Sequence, residues 1–258
     1  MPSIRVGIQI PQQHATYSQI REAWKAVEAS GADTLFNWDH FYPQSGDPNG
    51  AHLENWTAFG AMAEVTERVQ IGCLVSAIGY RNPNLLADMA RTVDHISDGR
   101  FILGVGSGWN QRDYEEYGYA FGTAASRLRD LDRAMPVIQE RLAALNPPPV
   151  QTPLPILIGG GGEKVTLRIV AQYATIWNGQ GEPEALAHKN QVLDDWCERV
   201  GREPGEIERS AQISDAQLDR LDDYLAAGIT HLICDAKGPD YDLSALQKLI
   251  AWRDAQTG

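Results

Sequence analysis

Asp39 and His40 are the only carboxylate–imidazole neighbours at the end of an expected strand. An imidazole changes charge near neutral pH, so a histidine beside a carboxylate suits proton transfer. The alternative is that Asp39 only accepts a hydrogen bond from a nearby loop. The remaining histidines (His14, His52, His95, His188, His231) are scattered, with no H-x-H pair, so no metal site is expected. Gly159-Gly160-Gly161-Gly162 runs from a strand toward Glu163-Lys164. Consecutive glycines let backbone N–H groups converge on an anion, and a following helix adds its positive end. A phosphate is the expected occupant and a plain tight turn the alternative; no Walker Lys-Ser/Thr pair follows. Gly104-Val105-Gly106-Ser107-Gly108 also follows a strand, with its third glycine one residue too early for a dinucleotide fingerprint. The better reading is close approach of backbone to a flat ligand lined by Trp109 and Asn110. Trp38, Trp109 and Trp177 all fall at or beside expected strand ends, an arrangement that suits a planar aromatic cofactor or substrate.

These residues need a scaffold that gathers strand ends, and the hydrophobic pattern supplies one. Strands are expected at Ile4 to Ile10, Thr34 to Trp38, Val69 to Val75, Phe101 to Val105, Pro155 to Ile158, Thr175 to Asn178, Ile207 to Ile213 and His231 to Cys234. Helical spacing occupies the gaps. Thr16 and Gln19 make a capping box before Ile20, Trp24 and Val27, and Asn82-Pro83 opens another helix. Further helices are expected over Asn55 to Thr66, Ala125 to Leu145, Glu163 to Ala171, Pro183 to Val200, Asp215 to Ala227 and Leu243 to Ala255. Residues 29–36 and 226–233 repeat the same helix end, glycine and strand. Eight alternating units predict an α/β fold of the (β/α)8 TIM-barrel kind, a single domain over residues 1–258, with its active site at the C-terminal ends of the strands.

Composition narrows the function. A net charge of −12 argues against nucleic acid and anionic membrane as partners. Cys73, Cys197 and Cys234 show neither C-x-x-C nor ligand spacing, which fits a reducing, cytoplasmic setting. No apolar run reaches transmembrane length and no signal-peptide core follows Met1.

A family resemblance rests on four stretches. Gly79-Tyr80-Arg81-Asn82-Pro83, the run from Asp94 to Asn110, and Asp113-Tyr114-Glu115-Glu116-Tyr117-Gly118 resemble the central signature of luciferase-like flavin and deazaflavin oxidoreductases. The run from Pro155 to Arg168 is similar to the phosphate-binding junction of the branch that uses coenzyme F420. The resemblance implies a two-electron hydride transfer between a deazaflavin and a small organic substrate. His40 would be the proton donor or acceptor, and Asp39 would fix cofactor or imidazole. It implies that Leu74, Val75 and Ser76 form a bulge with a non-proline cis peptide under the ring. It implies that Gly106, Ser107, Gly108, Trp109 and Asn110 run beside ring and ribityl chain, that Gly159, Gly160, Gly161, Gly162 and Glu163 cradle the phosphate, and that Trp177 belongs to the cofactor site. A homodimer is implied as well. FMN is the alternative cofactor, in a monooxygenase or reductase. A third reading is a non-catalytic cofactor-binding protein. It is motivated by an insertion shortened to Leu145-Asn146-Pro147-Pro148-Pro149 and a seventh unit that reads as trimmed after Ser210, both expected to thin the pocket wall.

Overall fold

Among the described residues nine strands pair in parallel, alternating with helices except between the third and fourth: β1 Arg5–Gln9, β2 Thr34–Asn37, β3 Gln70–Cys73, β4 Ser76–Ala77, β5 Phe101–Gly106, β6 Ile156–Gly159, β7 Ile176–Gln180, β8 Glu208–Gln212 and β9 His231–Asp235. The computed structural model describes residues 3–256. The sheet order is β3-β2-β1-β9-β8-β7-β6-β5, and pairing of β3 with β5 closes it into an eight-stranded barrel. The two-residue β4 resumes the path of β3 beyond Leu74 and Val75 and pairs with β5. The helices are α1 Tyr17–Ser30, α2 Asn55–Val65, α3 Pro83–Ile96, α4 Gln111–Glu116, α5 Ala124–Ala144, α6 Thr166–Tyr173, α7 Pro183–Val200, α8 Leu221–Ala226 and α9 Ser244–Gln256. None is long and apolar enough to cross a membrane among the described residues.

The strand period of two sorts side chains between two cores. Phe36, Leu74, Ile102, Leu157, Ile176 and Ile233 fill the barrel interior. Their neighbours Leu35, Leu103, Ile158, Trp177 and Leu232 face outward and pack in the much larger helix-covered layer. Helix starts follow local chemistry. Thr16 and Gln19 form the expected capping box, and Asn82 caps α3 with Pro83 in its first turn. The two repeated stretches, 29–36 and 226–233, are equivalent junctions in which a helix ends and the next barrel strand begins.

Several expectations need correction. The helix after the glycine run starts at Thr166 rather than Glu163; Val165 offers no capping side chain, and the Gly162 carbonyl is taken by Leu167 N at 3.0 Å. The helix expected at Asp215 splits into a 3-10 turn over Asp215–Arg220 and the short α8. The seventh barrel strand, β8, is intact and paired on both sides, so that unit keeps its strand. Leu145 to Pro149 joins the end of α5 to the start of β6 and so lies at the N-terminal end of the barrel, away from the mouth. There Pro148 O meets His95 Nε2 at 2.7 Å. Its brevity therefore removes nothing from the pocket wall. Helix α4 was not expected, although Asn110, which accepts from the amides of Arg112 and Asp113, with an acid three residues on, is a readable start signal.

Candidate active site

A cavity of about 570 Å³ opens at the C-terminal ends of the strands. Its walls come from β1, the segment after β2, the Leu74–Val75 step, the segment after β5, the glycine run after β6, and the ends of β7 and β8.

His40 follows β2 and lines this cavity with its ring only 13% exposed. Its Nδ1 meets Asp113 Oδ2 at 2.5 Å, and its Nε2 has no protein partner among the described residues. The rings of Trp38 and Trp109 stand edge-on to it, each with centroids 5.4 Å away. Asp113 is fully buried in α4 and also accepts from Tyr80 Oη at 3.1 Å and from the Phe41 amide at 3.2 Å. Three donors aimed at one buried carboxylate fix the imidazole plane and tautomer. Burial, reinforced by the neighbouring Asp113 charge, pushes the Tyr80 phenol well above its ordinary range, so it stays a neutral donor.

Asp39 does not touch His40. Its carboxylate is clasped by Arg81, with Nη1 to Oδ2 at 2.5 Å and Nη2 to Oδ1 at 3.1 Å, and Trp56 Nε1 lies 3.3 Å from Oδ2. Burial pushes this carboxyl upward, and the Arg81 guanidinium pulls against it. Arg81 continues to Glu54 Oε1 at 2.9 Å. Asp39 is thus half of a buried ion pair at the cavity edge, and the imidazole is held by a residue 73 positions away.

The Leu74–Val75 peptide is cis, as the family resemblance implied. Glycines let neighbouring strands close on this step. A Cβ on Gly104 would sit 1.7 Å from Cys73 O, and one on Gly106 would sit 2.8 Å from Val75 Cγ2. The close approach read from these glycines is therefore to neighbouring backbone and to Val75, with only the outer edge of the run facing the cavity. Leu74 O accepts from Gln9 Nε2 at 2.6 Å. Ser76 lies behind the step, fully buried, accepting from Trp56 Nε1 at 3.0 Å and donating to Cys73 Sγ at 3.3 Å.

Beyond the step, Ser107, Gly108 and Trp109 border the opening, and Trp109 is 67% exposed. Asn110 is set back: its side chain caps α4 and donates to Gln44 Oε1 at 2.6 Å. Gly159, Gly160 and Gly161 border the opposite side. Gly160 has φ of +125°, a conformation reserved for glycine. Its N–H is used by Asn178 O at 3.0 Å, whereas the Gly161 and Gly162 amides make no hydrogen bond within the described chain. The Glu163 carboxylate turns away to ion pairs with Lys189 and His188, which hold it below its usual range, and it does not border the cavity. Trp177 is likewise not in the wall. The strand period turns it outward into the helix layer, where its Nε1 donates to Gly160 O at 2.8 Å and supports the glycine run from behind. Sequence reasoning assigned no role to Asp113, Arg81, Gln44 or Gln180. The first two lay within the stretches that carry the resemblance, but nothing in their spacing revealed their partners. Among the described residues no group of three His, Cys, Asp or Glu is placed to hold a metal ion.

The sequence profile of the luciferase-like monooxygenases matches residues 3–220. A pyrimidine monooxygenase RutA from Yersinia enterocolitica is 27% identical over 282 aligned positions, covering 100% of this chain and 69% of that protein. An uncharacterized protein of Mycobacterium tuberculosis is 27% identical over 164 positions, and the alignment covers 58% of each protein, so the chain spans under two thirds of the length of that relative. Among solved structures, an F420-dependent secondary alcohol dehydrogenase in complex with an F420–acetone adduct superposes with a TM-score of 0.83 at 15% identity, covering 98% of both chains. The oxygenating constituent of 3,6-diketocamphane monooxygenase from Pseudomonas putida, in complex with FMN, superposes with a TM-score of 0.73 at 12% identity, also covering 98% of both.

Proposed function

The chain belongs to the luciferase-like monooxygenase family, and on that premise we propose that it is an oxidoreductase using a deazaflavin of the coenzyme F420 type to exchange a hydride with a small organic substrate. The observation that carries this reading is His40. Its ring borders the cavity, its Nδ1 is tied to Asp113, and its Nε2 is left without a protein partner.

The residues present fit a flat cofactor with an anionic tail. The Leu74–Val75 step gives a floor backed by the glycines of β5, Gly104 and Gly106. The Gly161 and Gly162 amides are unspent, and a Cβ on Gly161 would meet nothing closer than Lys189 Cε at 3.8 Å. Gly159, Gly160, Gly161 and Gly162 would hold the phosphate. Leu74, Val75, Gly106, Ser107 and Gly108 would lie along the ring. When bound, such a cofactor supplies or takes up a hydride at its ring. The chain's own part is orientation and proton management. With Nδ1–H donated to Asp113, neutral His40 presents a lone pair at Nε2 and takes a proton; once protonated, it returns one from the same atom. Trp38 and Trp109 screen the imidazole edges from water.

A second reading, an FMN-dependent monooxygenase, is supported by the similarity to a pyrimidine monooxygenase and to an FMN-bound oxygenase. Of the two features that motivated a non-catalytic reading, the short proline segment lies at the far end of the barrel, and the seventh unit keeps its strand, with only Ile213 and Ser214 joining it to the 3-10 turn that follows. Titration of the purified protein with F420 and with FMN, followed by absorbance, tests the proposal. F420 binding and substrate-dependent bleaching without oxygen uptake are expected. Tight FMN binding with oxygen consumption and no F420 binding would replace it by the second reading. We also place the enzyme in the reducing cytosol, in keeping with three buried free thiols, and as a homodimer, which light scattering checks.

A further inference from the structure

Part of the cavity wall is a chain of amides. Gln180, Gln212 and Gln9 stand at the ends of β7, β8 and β1, all border the cavity, and are linked in series. Gln180 Nε2 donates to Gln212 Oε1 at 2.7 Å, Gln212 Nε2 to Gln9 Oε1 at 2.8 Å, and Gln9 Nε2 to Leu74 O at 2.6 Å. The direction of the chain follows from its last member. The Leu74 carbonyl can only accept, so Gln9 must turn its NH2 toward it and its oxygen toward Gln212. Gln212 is then oriented in the same sense, and so is Gln180. The open end of the relay is consequently an acceptor, Gln180 Oε1, beside the second N–H of each amide.

The charge of the cavity points the same way. Among the described residues no lysine or arginine lines it. Asp39 is matched by Arg81 and Tyr80 donates to Asp113, which leaves His40, among the described residues, as the ionisable group of the lining whose outer nitrogen is free to face a ligand. A substrate anion would give up its hydration without meeting a fixed cation, and its oxygens would face the Gln180 oxygen.

We propose that this glutamine relay reads the substrate, and that the substrate is an uncharged compound bearing an amide, lactam or imide, with N–H and C=O side by side. Gln180 Oε1 accepts from the substrate N–H, and the substrate carbonyl accepts from the spare N–H of Gln212. The assignment rests on the reading of this cavity as the active site. It is independent of which flavin-type cofactor is used.

The test compares matched fragments, nicotinamide against nicotinate and benzamide against benzoate, by calorimetric titration of wild type, Gln180→Leu and Gln212→Glu. Each protein is measured with and without added F420 or FMN. Wild type is expected to bind the amides at least about tenfold more tightly than the carboxylates. Gln180→Leu, a change at the exposed end of the relay, loses about tenfold in amide affinity with no change in melting temperature. Gln212→Glu binds amides poorly at pH 8 and stays weak as the pH falls, because even a protonated carboxyl has only one O–H, which Gln9 Oε1 takes, leaving no donor for the substrate carbonyl. Equal binding of amide and carboxylate, or a Gln180→Leu affinity within twofold of wild type, overturns the proposal. Failure of both cofactors to bind, with the amide preference intact, counts against the flavin reading alone.

Discussion

Exchanging Asp113 for asparagine alters the imidazole while leaving its surroundings nearly isosteric. In the native site Asp113 Oδ2 accepts from His40 Nδ1 at 2.5 Å and from Tyr80 Oη, while Oδ1 accepts from the Phe41 amide. In Asp113→Asn the Phe41 amide retains the one remaining oxygen, so the NH2 group occupies the position facing His40. An NH2 group can only donate, which obliges Nδ1 to accept and moves the imidazole proton to Nε2. The cavity then faces an N–H where it had a lone pair. The charge-assisted bond is worth about 1.5–3 kcal/mol, equivalent to about 10- to 150-fold in rate if it strengthens during proton transfer. Loss of a general acid–base group costs about 10²–10⁴-fold. We expect a fall of about 10²–10³-fold in single-turnover cofactor bleaching, with the cofactor Kd within twofold of wild type. His40→Ala combined with Asp113→Asn should be no slower than His40→Ala alone, because Asp113 acts through the ring. A single-turnover rate within threefold of wild type, with cofactor affinity intact, would refute the assignment of His40 as the proton-handling group.

Arg81→Met strands the Asp39 carboxylate in a buried position; we expect a loss of about 3–5 kcal/mol in urea unfolding, less at acidic pH where the carboxyl is neutral. Arg100, within the stretch from Asp94 to Asn110, spends its guanidinium on Ser97 O, Val69 O, Ala63 O, Thr66 O and Thr66 Oγ1. Arg100→Met should therefore cost about 3 kcal/mol or more in stability while leaving cofactor affinity unchanged, as thermal melts and titration would show. At the far end of the barrel Glu208 is partly buried, which raises its carboxyl, yet His231 and Arg5 overcome that and hold it down to about 2. A depressed carboxyl stabilises the fold above the usual value of 4.5, and that contribution fades as pH falls toward 2. The shift corresponds to about 3 kcal/mol, so Glu208→Gln should flatten the acid-unfolding curve between these limits relative to wild type.

What the sequence determined by itself was local or periodic. Alternation of strands and helices is written in hydrophobic spacing, so the barrel was legible. So were the Thr16 and Asn82 caps and the position of His40 at a strand end, since each depends on neighbours within a few residues. The glycines marked places where backbone comes close, but not what it comes close to. Tertiary structure decided the partners. His40 is held by Asp113 rather than by the adjacent Asp39 because successive side chains leave a chain in different directions, and closing the barrel brings α4 over β2. Trp177 and Gln180 sit on the same strand, yet the two-residue period sends one into the helix layer and the other to the cavity. The relay through Gln180, Gln212 and Gln9 spans more than 200 positions. Each contact in it exists only because closure of the sheet sets the ends of β7, β8 and β1 around a single opening, a juxtaposition that no spacing along the chain encodes.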